Sequence, residues 1–279
     1  MIHTKLGWVE YSLSGEGIPV LFVHGGHSNS RDTLFQKGWD KKKYQMITPS
    51  RPGYGRTPLE NHQTPKSAAD LFIALLDTLK INQVIVYGIS AGGWTALQLA
   101  ANHPDRVKKL ILVSAVTTNW LDKKEKIYKI AKRIFHPKVE WLSWGLVHFI
   151  ASATPGLMAK NFHTEFSSYK DAKITQEEVG ELGNALKKYR SKTGFVNDID
   201  QGIDPAILKQ IRCPTLILHS RYDASVSPTH AEHAHKEIQH SQLHMLENKW
   251  GHMLCLGNDY QEVLGIINGF LDDHVDRPT

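Results

Sequence analysis

The 279-residue sequence has only two cysteines, Cys213 and Cys255, and neither stands in a CxxC or other metal-ligand spacing. Two cysteines are too few for the disulfide framework of a small secreted protein. The chain also lacks an apolar run of the roughly 18 residues that a membrane-spanning helix needs. Residues 1–17 contain neither the basic segment nor the long apolar stretch of a secretory signal. These absences predict a cytoplasmic protein without stable membrane insertion.

The sequence is also missing the lysine and arginine clusters, and the basic stripe with interleaved aromatic residues, that nucleic-acid binding requires. The net charge is only +5, and 41% of the residues are hydrophobic, so the chain can bury a large core. This composition disfavours nucleic acid as a partner and is ordinary for a globular protein. The oligomeric state stays open.

Short apolar runs that end in glycine, proline or serine recur along the chain and are typical of strands buried on both faces of a parallel sheet. Segments with apolar residues three and four apart, as in amphipathic helices, separate them. This alternation predicts a doubly wound, mostly parallel α/β sheet. The segments that carry the predicted strands are 17–26, 44–55, 84–88, 110–115, 213–220 and 242–247, and the predicted helices include 68–79, one that stops near Asn102, and 263–271.

The alternation breaks at residues 116–200, where amphipathic helices separated by proline and glycine replace the strands. We therefore expect a helical cap at 116–200, inserted into a core formed by 1–115 and 201–279. The segment has 14 basic and 10 acidic residues, which favours an anionic or carboxylate-bearing substrate. Its aromatic candidates for substrate contact are Trp120, Trp141, Trp144, Phe149 and Phe162.

The stretch VIVYGISAGGWTALQLA, residues 84–100, places Ser90 in a tight turn between a predicted strand and a predicted helix. Its centre, GISAG, matches G-x-S-x-G in the structural context that this motif requires. Such a short turn crowds its flanking positions, which explains Gly88 and Gly92, and it strains the backbone of the central residue. Backbone N–H groups at the start of the helix can stabilise an oxyanion. The pattern therefore predicts a nucleophilic serine.

Two other interpretations of the sequence are disfavoured. A dinucleotide-binding fingerprint needs glycine where Ser90 stands, because the backbone there meets a pyrophosphate, and no lysine follows to form a phosphate-binding loop. The histidine-rich stretch THAEHAHKEIQH invites a metal site, but it lacks the H-E-x-x-H spacing. We therefore expect neither a nucleotide nor a metal.

A serine hydroxyl becomes a strong nucleophile when a base removes its proton, so the hypothesis requires a histidine oriented by a carboxylate. Asp223 follows a predicted strand, and His252 lies in the loop after the last predicted strand. The chain order Ser, Asp, His is the one that accompanies G-x-S-x-G. We expect the oxyanion hole to consist of the backbone N–H groups of Ala91, directly after the nucleophile, and Gly26, at the end of the first predicted strand.

Together these motifs resemble the α/β-hydrolase superfamily, and the resemblance covers nearly the whole chain. FVHGG is similar to the oxyanion loop of that family, SRPGYGRTP to its R-x-G-x-G segment, GISAGG to its nucleophile elbow, RYDASVSP to its acid loop and WGH to its histidine loop. Two positions depart from the family pattern: Ser50 replaces a frequent aspartate and Ile89 a frequent histidine or aromatic residue. Beside the motifs we also expect substrate contacts at Gly25, His27 and Trp250.

The resemblance implies acyl transfer to water without a metal or organic cofactor. Ser90 would attack a carbonyl, His252 would transfer its proton to the leaving group, and Asp223 would orient the imidazole. Serine at position 90 disfavours haloalkane dehalogenases and epoxide hydrolases, and HGGHSN lacks the Pro-Gly of proline iminopeptidases. The leading prediction is a hydrolase of small carboxylic esters or lactones. A carbon–carbon bond hydrolase or lyase with the same triad, and a non-catalytic small-molecule receptor of the same fold, remain alternatives.

Overall fold

The structure is a computed structural model that describes residues 1–273. Within these residues the strands are β1 (Ile2–Thr4), β2 (Gly7–Val9), β3 (Tyr11–Ser14), β4 (Ile18–Val23), β5 (Tyr44–Pro49), β6 (Val84–Ile89), β7 (Val107–Val113), β8 (Thr215–Ser220) and β9 (Ser241–Leu246). The α-helices are α1 (Pro65–Thr78), α2 (Gly93–Asn102), α3 (Lys126–Ile134), α4 (Glu140–Ala153), α5 (Pro155–Phe166), α6 (Gln176–Leu186), α7 (Gly194–Ile199), α8 (Thr229–Glu237) and α9 (Tyr260–Asp272).

Seven strands form one sheet in the spatial order β3-β5-β4-β6-β7-β8-β9, and β1 pairs with β2 in a separate antiparallel hairpin. Strand β3 runs antiparallel to β5, whereas the other neighbours in the large sheet are parallel. The predicted doubly wound, mostly parallel α/β sheet is thus confirmed. The six predicted strands correspond to β4 through β9, and α2 ends at Asn102.

The first three strands are absent from the sequence-based prediction. They contain three, three and four residues, and each exposes part of its surface. Strands this short and partly exposed lack the continuous apolar run that marks a strand buried on both faces.

Alternate residues of the central strands contact two different apolar layers. In β4, Val20 and Phe22 belong to one buried cluster, and Leu21 and Val23 belong to the other. Buried residues of α1, α2 and α8 join the cluster of Leu21, whereas those of α9 join the cluster of Val20. Because both faces of the strand are covered, its sequence is uniformly apolar.

The inserted segment, residues 116–200, contains α3 to α7 and connects β7 to β8. Buried side chains of α4, α5 and α6 share a cluster with residues from the C-terminal part of the chain. The first set includes Trp144, Met158 and Leu182, and the second includes Leu254 and Tyr260. The inserted segment therefore packs on one side of the core. Its role as a cap over the site stays a prediction.

A buried ion pair joins the inserted segment to the core. Arg51, in the loop after β5, donates from Nη1 and Nη2 to the two carboxylate oxygens of Asp198 in α7, at 2.8 and 2.6 Å. The Tyr54 hydroxyl donates to the same carboxylate at 2.6 Å. Burial opposes the charge of Arg51, but the charge of Asp198 raises the pKa of Arg51 above its usual range. The guanidinium therefore stays charged inside the protein.

We expect Asp198→Asn to lower the free energy of unfolding by about 3–5 kcal/mol, because it leaves the buried Arg51 cation without its counter-charge. The matched control is Asp200→Asn, two residues along the chain, where Lys132 and the carboxylate form an ion pair exposed by 42% and 35%. That change should cost about 1 kcal/mol or less. Urea unfolding followed by circular dichroism measures both values, and equal losses would contradict the assignment of Arg51 and Asp198 as a structural clamp.

Candidate active site

Ser90 lies at the junction between β6 and α2, in a one-turn 3₁₀ helix, Ser90–Gly92. Its φ of +50° falls in the left-handed region, which costs a residue with a side chain about 1–3 kcal/mol. Gly92 has no space for a side chain, because a Cβ there would overlap the carbonyl oxygens of Val23 and His24 at the end of β4. Close packing of the turn against β4 therefore holds Ser90 in its strained conformation.

The structure brings Ser90, His252 and Asp223 into direct contact. The Nε2 atom of His252 lies 3.0 Å from the Ser90 Oγ, and its Nδ1 atom lies 2.9 Å from Asp223 Oδ2. The three residues are buried, with 6%, 7% and 7% of their surfaces exposed for Ser90, His252 and Asp223. When Nδ1–H donates to the carboxylate, Nε2 is left with a free lone pair toward the serine hydroxyl.

A backbone carbonyl of the inserted segment holds the loops of Asp223 and His252 together. The carbonyl oxygen of Phe166, the last residue of α5, accepts from the N–H groups of His252 at 2.9 Å and Ala224 at 3.1 Å. Gly251, with φ of +55°, packs closely against the same oxygen. The inserted segment therefore contributes directly to the placement of the acid and the histidine.

The carboxylate of Asp223 is fully supplied with hydrogen-bond donors. Its Oδ1 atom accepts from the N–H groups of Ser225 and Val226 at 2.9 and 2.8 Å. Its Oδ2 atom also lies 3.2 Å from Nε2 of a second buried histidine, His219. Burial acts to raise the pKa of Asp223, but His252 and His219 outweigh it and hold this pKa well below its usual range. The carboxyl group is therefore ionised.

Hydrogen bonds from Arg51 hold the loop after β4 in place. The Arg51 N–H donates to Nε2 of His24 at 2.8 Å, so the other ring nitrogen carries the proton and donates to the Gly25 carbonyl at 2.8 Å. Arg51 Nε and Nη2 donate to the carbonyls of His24 and Gly25 at 2.7 and 3.2 Å. Burial, with the charge of Arg51, lowers the pKa of His24 to about 3 and keeps its ring neutral.

The same loop lies against the serine turn. A Cβ built on Gly25 would be 2.9 Å from the Ser90 Cβ and 3.5 Å from its Oγ, so this position also requires glycine. Among residues 1–273, the amide of Gly26 donates no hydrogen bond to another protein atom. The amide of Ala91 lies in the first turn of a helix, where backbone N–H groups lack partners within the helix. Both groups are thus available to a bound oxyanion.

His27, next to Gly26, lies in a cluster of aromatic rings from the inserted segment. Its ring stacks on Phe195 with centroids 3.9 Å apart, and it also contacts Phe135 at 4.5 Å and Trp144 at 5.1 Å. His27 is partly exposed and has a positive φ of 62°. The predicted contact residues His27 and Trp144 therefore lie together beside the loop of Gly26.

A chain of hydrogen bonds sets the protonation of His27. The indole Nε1–H of Trp144 donates to the hydroxyl oxygen of the fully buried Ser191 at 2.7 Å, and this oxygen lies 2.8 Å from His27 Nδ1. An indole N–H can only donate, so the Ser191 hydroxyl can donate its own proton to His27 Nδ1. Burial, with the charge of Arg51, lowers the pKa of His27 to about 3. The neutral ring then carries its proton on Nε2.

Two other predicted contact residues lie near the acid and histidine loops. Phe162 packs on Phe166 with ring centroids 5.5 Å apart, and the Phe166 ring lies 6.0 Å from that of His252. Trp120 donates from Nε1 to the carbonyl of Ser225 at 2.9 Å.

The remaining three aromatic candidates have surroundings that argue against the predicted substrate contacts. Trp141 and Phe149 lie on α4 with 56% and 69% of their surfaces exposed. Trp250 is fully buried and packs edge-on against His163, with ring centroids 5.3 Å apart. The first two are on an open surface and the third belongs to the core. The sequence did not reveal this, because a sequence pattern does not separate aromatic residues of a pocket from those of a surface or a core.

Several residues that shape the site are missing from the sequence-based prediction. His219 contacts Asp223 from four residues earlier, but the run LILHS indicates only a buried strand. Asp198 and Phe166 belong to the inserted segment and are distant in sequence from the residues they hold. These contacts become visible only in the structure, since no motif of the sequence predicts them.

The described residues offer no metal centre and no membrane span. No group of three or more histidine, cysteine, aspartate or glutamate side chains among residues 1–273 could hold a metal ion. In the histidine-rich stretch, His230 uses its Nδ1 to accept from the backbone N–H of Thr117 at 3.1 Å. Over the same described range, each helix is too short or too polar to cross a bilayer.

Comparisons with known proteins agree with this architecture. The family described as alpha/beta hydrolase fold matches residues 18–259. A relative named uncharacterized hydrolase YcgS, from Bacillus subtilis (strain 168), is 37% identical over 272 residues, 95% of each chain. A 2-hydroxymuconate semialdehyde hydrolase from Pseudomonas putida is 33% identical over 110 residues, 38% of this chain and 39% of that protein. An alpha/beta hydrolase fold protein from Nakamurella multipartita superposes with a TM-score of 0.80 at 26% identity, covering 97% of both chains.

We expect the unfolding free energy of the Asp223→Asn variant to fall less steeply in acid than that of the wild type. A carboxyl whose pKa is lowered by folding stabilises the protein above its unfolded pKa of about 4, and this contribution disappears as the pH falls toward the folded-state pKa. The difference in unfolding free energy between the wild type and the variant should therefore shrink as the pH falls below about 4. Urea titrations at constant ionic strength measure it, with the exposed Glu60→Gln as control. A difference that is constant with pH would contradict the ionised, hydrogen-bonded carboxylate.

Proposed function

Because the chain belongs to the α/β-hydrolase fold family and is a hydrolase, we propose that it cleaves a small carboxylic ester or lactone through an acyl-enzyme on Ser90. The observation that carries this proposal is the continuous contact from the Ser90 hydroxyl through His252 to the Asp223 carboxylate. A hydroxyl, an imidazole and an ionised carboxylate in this order form the nucleophile, base and orienting acid of acyl transfer.

In the first half of the reaction, His252 Nε2 takes the proton of Ser90 as its Oγ attacks the carbonyl carbon. The carbonyl oxygen becomes an oxyanion, which the free N–H groups of Gly26 and Ala91 stabilise. Asp223 holds the imidazole by Nδ1–H and stabilises its positive charge. His252 then gives the proton to the leaving alkoxide, and the carbon–oxygen bond breaks.

In the second half, a water molecule attacks the acyl carbon while His252 Nε2 removes its proton. A second tetrahedral oxyanion forms in the same hole and collapses, and the imidazolium returns the proton to Ser90 Oγ. The carboxylic acid leaves and the hydroxyl is regenerated. For a lactone, the alcohol and the acid are two ends of one product.

The inserted segment fits the role of a cap in this proposal. Phe195, from α7, lies against Gly26, since a Cβ on that glycine would be 3.1 Å from the phenyl ring. His27 presents a neutral imidazole with its proton on Nε2, which is a hydrogen-bond donor for a polar substrate group. Apolar rings with a few polar groups are typical of small-molecule sites.

Carbon–carbon bond hydrolysis is the second candidate. The observation in its favour is the likeness over 110 residues to a 2-hydroxymuconate semialdehyde hydrolase. The same serine, histidine and aspartate would serve, but the leaving group would be a carbanion that His252 protonates at carbon. A substrate that can delocalise that charge is then required.

We expect Ser90→Ala to abolish covalent labelling by a fluorophosphonate probe and to lower kcat/KM for the best ester in a graded panel by about 10³-fold or more. The matched control is Ser114→Ala, since Ser114 is also buried and has a positive φ of 46°. Its hydroxyl has no hydrogen-bond partner among the described residues, so its loss should leave labelling intact. Labelling that persists in Ser90→Ala would contradict the proposed nucleophile.

Two further outcomes separate the candidate reactions. Turnover of a nitrophenyl ester or lactone that Ser90→Ala abolishes supports ester hydrolysis. Robust labelling of Ser90 without turnover of any ester, combined with cleavage of a vinylogous diketone, supports carbon–carbon hydrolysis instead.

We expect Gly25→Ala to slow labelling of Ser90 by about 10²-fold, because the new methyl group displaces the nucleophile and such small displacements are costly. The added Cβ would lie 2.9 Å from the Ser90 Cβ. Gly180→Ala in α6 adds the same methyl group where no atom lies within 4 Å and should leave the rate unchanged. Rates are measured from time courses of labelling, with circular dichroism to show that both variants fold. An unchanged rate in Gly25→Ala would contradict the close approach of this loop to Ser90.

A further inference from the structure

A cleft of about 430 Å³ lies between the loops that follow β4 and β5 and the chain that follows α6. Its volume falls within the range of small-molecule sites. Five cationic side chains and one carboxylate line it, and we name them the basic cleft: Arg31, Arg56, Lys188, Arg190, Lys192 and Glu10. None of these residues belongs to the serine, histidine and aspartate cluster.

The charges of the basic cleft are only partly compensated. Glu10 accepts from Arg56 Nε at 2.8 Å, and Glu140, from α4, accepts from Arg190 Nη2 at 2.7 Å. Three cations have no carboxylate partner among residues 1–273. They are Arg31, Lys188 and Lys192. An excess of positive charge in a concave site concentrates anions there.

Hydrogen bonds within the protein join the segments that form the walls of the basic cleft. Asn29 donates from Nδ2 to the carbonyl of Lys188 at 2.7 Å, and Lys192 Nζ donates to the carbonyl of Gly55. The N–H of Arg190 donates to the carbonyl of His27 at 2.7 Å. The loops that carry the cations are therefore already in place, which lowers the entropic cost of binding.

Several hydrogen-bond donors remain for a ligand. Arg56 uses Nε and its backbone N–H on Glu10, and within the described chain its Nη1 and Nη2 have no protein partner. The Arg31 guanidinium makes no hydrogen bond to another described side chain or backbone atom. Guanidinium groups match the oxygens of phosphate in pairs, and lysines add point charges.

We propose that the basic cleft binds the phosphate or diphosphate group of a small-molecule ligand. A single carboxylate would neutralise one of the three uncompensated cations, whereas a diphosphate carries the charge and the number of oxygens to meet all of them. This inference does not depend on the proposed esterase function. The ligand is either a free phosphorylated effector or a substrate whose phosphate lies in the basic cleft.

The basic cleft shares a wall with the loop of the candidate active site. Arg190 and Ser191 are consecutive, and they contact the backbone carbonyl and Nδ1 of His27. Anion binding on one side of this wall therefore acts next to Gly26 on the other side, which gives either kind of ligand a route to influence turnover.

The test is isothermal titration of the full-length protein with sodium diphosphate at low ionic strength. We expect Arg31→Gln with Lys188→Gln to weaken binding by about tenfold or more, since the loss of even one charge-assisted hydrogen bond is worth about tenfold. The matched control is Lys41→Gln with Lys42→Gln, two exposed lysines outside the cleft, and it should change the affinity by less than about twofold. Circular dichroism checks that all variants fold.

Absence of binding by the wild type at millimolar diphosphate, or equal weakening in both double variants, would overturn the proposal. Isothermal titration measures the heat of binding, so its result does not depend on turnover by Ser90.

A second experiment separates the sources of the phosphate. If the phosphate belongs to the substrate, the KM is lower for a phosphate-bearing ester than for its neutral analogue and rises in the cleft variant. If the ligand is a free effector, diphosphate changes the turnover of a neutral ester.

Discussion

The candidate site depends on how closely two backbones approach at the carboxyl ends of β4 and β6. These strands are parallel neighbours, with Val23 paired to Gly88, so the loop after one meets the turn after the other. Contact is achieved because Gly25 and Gly92 carry no side chain. A wider separation would leave the Ser90 hydroxyl and the amide of Gly26 too far apart for the reaction proposed above.

Arg51 extends this constraint from the core to the inserted segment. Its guanidinium holds the carbonyls of the loop after β4 and the carboxylate of Asp198 at the same time. Replacing such a buried pair by apolar residues often costs little stability, so we interpret the pair as a contact that fixes one arrangement of the two parts. The aromatic cluster around His27 completes the interface between the loop and α7.

The sequence predicted the central sheet because strands covered on both faces are uniformly apolar and end in turn residues. It also singled out Ser90, Asp223 and His252, since each follows a strand in the order that G-x-S-x-G implies. The partnership of Arg51 with Asp198 could not be predicted, because the two residues are far apart in sequence. That of Asp223 with His219 could not be predicted either, because the apolar run LILHS indicates a buried strand but not what the histidine contacts. Aromatic spacing also failed to distinguish Trp144, which is buried, from Trp141, which is exposed on the same helix.

The carbonyl of Phe166 connects the loop of Asp223 with that of His252, and its oxygen is a main-chain atom. Every amino acid supplies the same oxygen, so the identity of the side chain at this position is irrelevant to the connection. Substitutions can accumulate across α5 and its neighbours, while the path of the backbone at this one residue has to be preserved. Insertions or deletions near the end of α5 would therefore be far more harmful than replacements.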